Sequence, residues 1–168
     1  MDVFEAVRTV LAVREFRNTP VPPDVVRQIV EAGRLTASST NRQPWHFIVV
    51  DDRATLQRLG ELARSGPYIA QAPLAVVVTI RESRFAVSDA SRAIQSMVLT
   101  AWSAGVGSNW VGFFDLEAVK PLLVIPDDFD VFAIVPFGYP ARAVGRGRKQ
   151  RQPLGDVASR GRFGHPFG

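Results

Sequence analysis

Leu74-Ala75-Val76-Val77-Val78-Thr79-Ile80 reads as a β-strand without a polar face. Its first five residues are apolar without alternation, the pattern of a strand covered on both sides and therefore part of a layered domain. Two further strand-like runs are Trp45 to Val50 and Val131 to Phe137, with a third extended piece from about Ser108 to Phe114. Helical spacing predicts helices over Val3 to Leu11 with Asp2 as N-cap, Pro23 to Ala32 closed by Gly33, Arg53 to Leu62, Val87 to Ala104 capped by Ser88 or Asp89, and Leu116 to Leu123. The two kinds of run are interleaved, with no internal repeat and no dividing linker. The expectation is a single domain over residues 1–168, an α+β or α/β sandwich with helices covering a central sheet.

The first helix carries an apolar face of Val3, Phe4, Val7, Val10 and Leu11. In the second, Val25, Val26, Ile29 and Val30 share one face, as core packing requires. The long helix has Ile94, Met97, Val98, Leu99, Ala101 and Trp102 on more than one face. It is expected to lie centrally or to be shared with a partner subunit.

A chain of 168 residues that is 46% hydrophobic suffices for one packed domain and is short for two. It has no cysteine, which excludes disulfides, thiolate metal sites, iron–sulfur clusters and a cysteine nucleophile; redox chemistry would need a bound cofactor. His46 and His165 fit no usual zinc spacing. No apolar run reaches the ~18 residues of a membrane span, and Met1-Asp2-Val3-Phe4-Glu5 lacks a secretory pattern, so the cytoplasm is the expected compartment. The net charge of +4 gathers near the end, where Arg142, Arg146, Arg148, Lys149, Arg151, Arg160 and Arg162 face only Asp156. Such a basic tail, about 142–168, can bind phosphate on a small molecule or on nucleic acid, or can simply be solvated.

Several chemistries drop out. Gly105-Val106-Gly107-Ser108-Asn109-Trp110 has Trp110 where a dinucleotide fingerprint needs its third glycine, and it follows a helix rather than a strand. No GxxxxGK[ST] loop exists. His46 lies within a strand-like run and reads as a packed or hydrogen-bonded core residue rather than a base. The acids at Asp51-Asp52, Asp115-Glu117 and Asp127-Asp128 with Asp130 read as caps and turns.

The loop Ser38-Ser39-Thr40-Asn41-Arg42-Gln43-Pro44-Trp45-His46-Phe47 is different. Small hydroxyls and amides supply donors and acceptors where Pro-Trp can pin the chain to the core, which suits a planar polar heterocycle such as a flavin. A Ser/Asn-rich connection between helix and strand is the plain alternative.

Four ordered segments, spanning nearly the whole chain, resemble the FMN-dependent nitroreductase family. They are Glu5 to Phe16 followed by Pro20-Val21-Pro22; the Ser38 to Phe47 loop; Asp89 to Phe114, with Gln95 in the long helix and then Gly105-Val106-Gly107 and Trp110-Val111-Gly112; and Val135-Pro136-Phe137-Gly138-Tyr139-Pro140-Ala141 followed by Arg148 to Leu154. The resemblance implies an α+β three-layer sandwich, with a mostly antiparallel sheet flanked by helices. It also implies a homodimer holding two FMN molecules at the subunit interface, each touched by both chains.

By the same resemblance, Lys149 and Arg151 match phosphate ligands, and Arg14 a cation at the flavin pyrimidine edge. Ser38, Ser39 and Asn41 match a loop supplied across the interface, and Trp110, Val111 and Gly112 a wall beside the ring. Val10, Leu11 and Ala12 stand where many members carry Arg-Arg-Ser. Backbone amides, Arg14 and the tail, with help from Arg8, are left to hold the phosphate. The brief Arg81 to Val87 loop implies an open substrate pocket. The implied activity is hydride transfer from NAD(P)H through flavin N5 to nitroaromatic or quinone-like acceptors. Two alternatives stand: a flavin-binding protein of this fold with little turnover, and, on the tail alone, a nucleic-acid-binding module.

Overall fold

Every residue of the strand β2 (Leu74–Ile80) is buried, because both of its faces are covered by helices. This is seen in a computed structural model that describes residues 1–112, 115–144 and 149–167. The other elements are α1 (Val3–Thr9), α2 (Pro23–Arg34), β1 (Trp45–Val50), α3 (Arg53–Leu62), α4 (Ala86–Ser103), β3 (Gly107–Ser108), α5 (Val119–Leu123), β4 (Asp130–Gly138) and α6 (Leu154–Val157). Short 3-10 turns occupy Ser39–Asn41 and Pro67–Gln71.

The sheet order is β1-β2-β4-β3, antiparallel throughout. Val76 stands between Val49 and Val135, and a register shift at Val78/Thr79 breaks the β2–β4 ladder. Leu74, Val76 and Val78 meet Ile29 of α2 and Ile94 and Met97 of α4. Ala75 and Val77 meet Leu56 and Leu59 of α3 and Val119 of α5 on the opposite side. The architecture is the expected α+β three-layer sandwich. Each large aliphatic side chain sealed in this way contributes roughly 1.5–3 kcal/mol.

Most of the predicted elements are present, with instructive differences. Gly33 does not close α2 but lies inside it, where a Cβ would come within 2.5 Å of Met97 Cε and 3.2 Å of Phe47 Cζ. The residue lets α2 approach α4 closely. The first helix ends at Thr9, and Val10 is already out of helical geometry (φ −56°, ψ 131°). Of α1 only Ala6 is buried; Val3 and Phe4 are 77% and 75% exposed. The predicted Leu116 start gives way to Val119, after a turn in which Asp115 accepts from the Glu117 backbone N–H. Of the extended piece from Ser108, strand pairing covers Gly107–Ser108 plus a bridge from Val111 to Ile134, while Phe113 and Phe114 lie outside the described residues. His46 is exposed on the edge strand β1, with its ring edge-on to Phe129 at 6.1 Å, rather than packed in the core. Among the described residues no helix is long and apolar enough to cross a membrane.

Candidate functional site

The chain from Val10 to Arg17 is extended and stitched between two parts of the sheet. Val13 N–H donates to Ser108 O at 2.8 Å, Arg17 N–H to Tyr139 O at 2.8 Å, and Ala141 N–H to Glu15 O at 2.9 Å. Gly107 makes the first of these possible, since a Cβ there would fall 2.4 Å from Val13 Cγ2. Buried Val13 anchors the segment and leaves Ala12 and Arg14 exposed on either side of it. Both line a cleft of about 230 Å³ with Pro140, Arg142 and Val144. Arg142 reaches Glu15 at 3.3 Å, whereas Arg14 has no ion-pair partner among the described residues.

Lys149 comes to the end of α1 from the far end of the chain. Its Nζ donates to Val7 O in the last turn of α1 at 2.6 Å, where helix carbonyls carry partial negative charge. Burial, and then the nearby Arg151 guanidinium, push its pKa below the ordinary lysine value. Half-buried Val10 and Leu11 and exposed Ala12 follow directly after this turn. Arg8 is turned away to Glu5, at 2.7 Å, so the expected help from Arg8 is committed elsewhere. Arg151 donates to its neighbour Gln150 O at 2.8 Å. Arg146 and Arg148 lie outside the described residues.

The Ser38–Gln43 loop is a second locus. Thr40, Asn41 and Gln43 all have positive φ, at 52°, 55° and 49°. Each such residue other than glycine costs on the order of 1–3 kcal/mol, least for Asn. The loop closes on itself: Gln43 N–H donates to Ser38 Oγ at 2.9 Å, and Gln43 Nε2 to Asn41 Oδ1 at 3.1 Å. It is tied to the body by Asp89, whose two carboxylate oxygens each accept from Ser39 N–H at 3.1 Å. Asp89 is only 1% exposed and also binds the Arg92 guanidinium. The predicted capping role of Ser88 or Asp89 is absent, for the N-cap of α4 is Phe85 and has no side-chain cap bond. A carboxylate in a first turn is the usual sequence sign of a cap, and nothing local in the sequence marks a partner 50 positions away.

The third locus is Trp110 to Gly112. Trp110 is edge-on to Phe132 at 5.4 Å, and a Cβ on exposed Gly112 would meet Trp110 Nε1 at 2.8 Å and Phe132 O at 3.2 Å. Val111 faces inward, with its N–H and C=O both bonded to Ile134 at 2.9 Å and its side chain buried. Only Trp110 and Gly112 of the three therefore keep an open side.

Lys149 thus meets the end of α1, directly before the Val10-Leu11 turn, while Ala12 and Arg14 further along the same segment line the cleft against Pro140 and Arg142. The Ser38–Asn41 loop forms a separate feature at the start of α4. Among the described residues no hydrogen bond joins that loop to residues 10–14 or to Lys149. The donor set suits a phosphate-bearing heterocycle: cations at one corner, and hydroxyls, amides and an aromatic wall elsewhere. The one-chain cleft is smaller than the ~300 Å³ lower bound of ordinary cofactor pockets.

Comparison with known proteins bears on these features. The model of the nitroreductase family matches residues 8–82 and 66–139. A Methanothermobacter thermautotrophicus protein, provisionally named an NADH dehydrogenase/NAD(P)H nitroreductase, is 34% identical over 154 residues, covering 86% of this chain and 81% of its own. An NADPH-dependent oxidoreductase of Staphylococcus aureus (strain USA300) is 27% identical, covering 92% of this chain and 71% of its own. Among solved structures, a provisionally named nitroreductase of Desulfovibrio desulfuricans in complex with FMN superposes with a TM-score of 0.85 at 26% identity, covering 100% of this chain and 99% of that one.

Proposed function

The chain belongs to the nitroreductase family, and from that footing we propose that this oxidoreductase is FMN-dependent, uses NAD(P)H, and reduces nitroaromatic or quinone-like acceptors. The observation that carries the reading is the meeting of Lys149 with the last turn of α1, directly before Val10-Leu11-Ala12 in the segment that leads on to Arg14. Bound FMN would supply the capacity to accept hydride from the nicotinamide and to pass two electrons to an acceptor that takes its place. Lys149 and Arg151 hold the phosphate, with the backbone of Val10, Leu11 and Ala12 beside it. Arg14 sets positive charge against the pyrimidine edge, and Trp110 and Gly112 flank the ring. The reaction needs no acid–base pair from the protein beyond this positioning.

Ser38, Ser39 and Asn41 act on the flavin of a second copy, so the proposed assembly is a homodimer. Support comes from the small one-chain cleft, from the exposed apolar face of Val3, Phe4 and Val7, and from the separation of the loop from the cationic corner. The proposed compartment is the cytoplasm, where NAD(P)H is available. The apolar Val10-Leu11-Ala12 favours one second reading, a flavin-binding protein of the same fold with little turnover.

The test is an anaerobic visible spectrum of the FMN-supplemented, desalted protein before and after NADPH and then NADH. Flavin bands that survive desalting and bleach with either nicotinamide support the oxidoreductase. Bands that survive without bleaching favour the second reading, and loss of the bands on desalting removes both.

A further inference from the structure

Asp89 is a buried carboxylate with no part in the chemistry described so far. An acid out of water is tolerated only when its oxygens are matched by donors, and here the donors are Ser39 N–H and Arg92. Arg92 is half exposed and lies one turn along the same helix, so it neutralises Asp89 without tying α4 to anything else. Ser39 N–H is the bond that reaches across the fold. It lies directly before Thr40 and Asn41, whose left-handed geometry the local sequence would not choose unaided, since neither is glycine. Within the loop the remaining bonds are internal: Asn41 N–H to Ser38 O at 3.1 Å, Arg42 N–H to Ser39 O at 3.2 Å, and the Ser38–Gln43 and Gln43–Asn41 contacts. Internal bonds set the shape of the loop but not its place. That place comes from buried Pro44 on the C-terminal side and from Asp89 on the N-terminal side. Asp89 sits one turn into a long helix that is packed against the sheet through Ile94 and Met97, so its position is stiff.

We propose that Asp89 is a positioning residue for flavin binding: by gripping the Ser39 N–H with both oxygens it holds Ser38, Ser39 and Asn41 in the geometry in which they meet FMN. The role rests on the FMN-dependent reading above and adds a residue that does not itself touch the cofactor. Its mode of action is preorganisation, since a loop held in its binding shape pays less ordering entropy when the ligand arrives.

The test compares the full-length wild type with Asp89→Asn, which keeps size and one acceptor, and with Arg92→Ala, which removes the charge partner but leaves the loop bond intact. Two quantities are read: amide hydrogen exchange of segment 38–43 without FMN, and the FMN dissociation constant. Asp89→Asn is expected to speed exchange in that segment alone and to weaken FMN by about tenfold, the scale of one charge-assisted hydrogen bond. Arg92→Ala is expected to change FMN affinity less than threefold. Unchanged exchange in Asp89→Asn overturns the proposal, as does faster exchange with unaltered affinity. General loss of protection across the β2 and α4 amides also overturns it, because the residue would then be holding up the fold. A wild type that retains no flavin overturns the oxidoreductase reading and this role with it, whereas the preceding outcomes overturn this role alone.

Discussion

Lys149 Nζ lies 2.6 Å from the carbonyl oxygen of Val7, so a side chain 142 positions downstream closes over the end of the first helix. Burial first and the Arg151 guanidinium second hold the Lys149 ammonium below its ordinary basicity. A phosphate arriving there would act in the opposite direction and favour the ammonium. FMN affinity should therefore be full below the depressed value of the free protein and be lost as pH rises through the higher, phosphate-bound value. The decline begins below the ordinary lysine range. Lys149→Ala should weaken FMN by about 10- to 150-fold, the equivalent of ~1.5–3 kcal/mol for a charged hydrogen bond. Lys149→Arg should bind FMN with a flat alkaline profile, because a guanidinium does not titrate there. Fluorescence titrations of FMN between neutral and alkaline pH decide the matter, and an identical slope in Lys149→Arg would remove Lys149 from the phosphate site.

Arg14 stands exposed beside buried Val13, so its removal should leave the fold intact. Arg14→Gln should lower the flavin midpoint potential by roughly 30 mV, the two-electron equivalent of ~1.4 kcal/mol. Anaerobic redox titration against a reference dye reads this. An unchanged potential would place Arg14 away from the ring.

Gly107→Ala drives a methyl group into Val13, whose Cγ2 and Cβ lie 2.4 and 2.8 Å from the new atom. Neither the branched side chain nor the bridged backbone behind it can withdraw easily. The expected cost is about 1–3 kcal/mol, with Tm lower by several degrees. Thermal unfolding without FMN measures it. The control is Gly155→Ala, where a Cβ meets nothing within 4 Å.

Val124 caps α5 at φ 53° and is 87% exposed, a left-handed β-branched residue with little packing to compensate. Val124→Gly should stabilise the protein by about 0.5–1 kcal/mol. A higher urea midpoint at unchanged slope supports this, and a lower one would mean that the Val124 side chain contributes packing after all.

The strands and α3 were legible because their signals are local. An apolar run interrupted only by Thr79 between Pro73 and Arg81 delimits β2, and Asp52 caps α3 by accepting from Thr55 N–H at 2.8 Å. Gly33 misleads because chain reversal and close helix packing both call for a residue without a side chain, and only the presence of Met97 distinguishes them. His46 misleads because apolar neighbours in a strand imply an inward position, while β1 is an edge whose outer residues stay wet. The order of the candidate flavin segments could be read from the chain. The meeting of Lys149 with Val7, and that of Asp89 with Ser39, depend on contacts between distant positions that no periodicity encodes.

Asp89 takes hold of Ser39 by its main chain and ignores its hydroxyl. Any residue with an N–H can therefore occupy position 39 without loosening the grip, and proline alone is barred. At this position the fastening does not depend on side-chain identity, and the side chain is free to change. A library diversified at position 39 could explore new ligand preferences with the attachment left intact, while Asn41, left-handed and bonded to Gln43, stays as it is, which makes this short stretch a natural starting point for redesign.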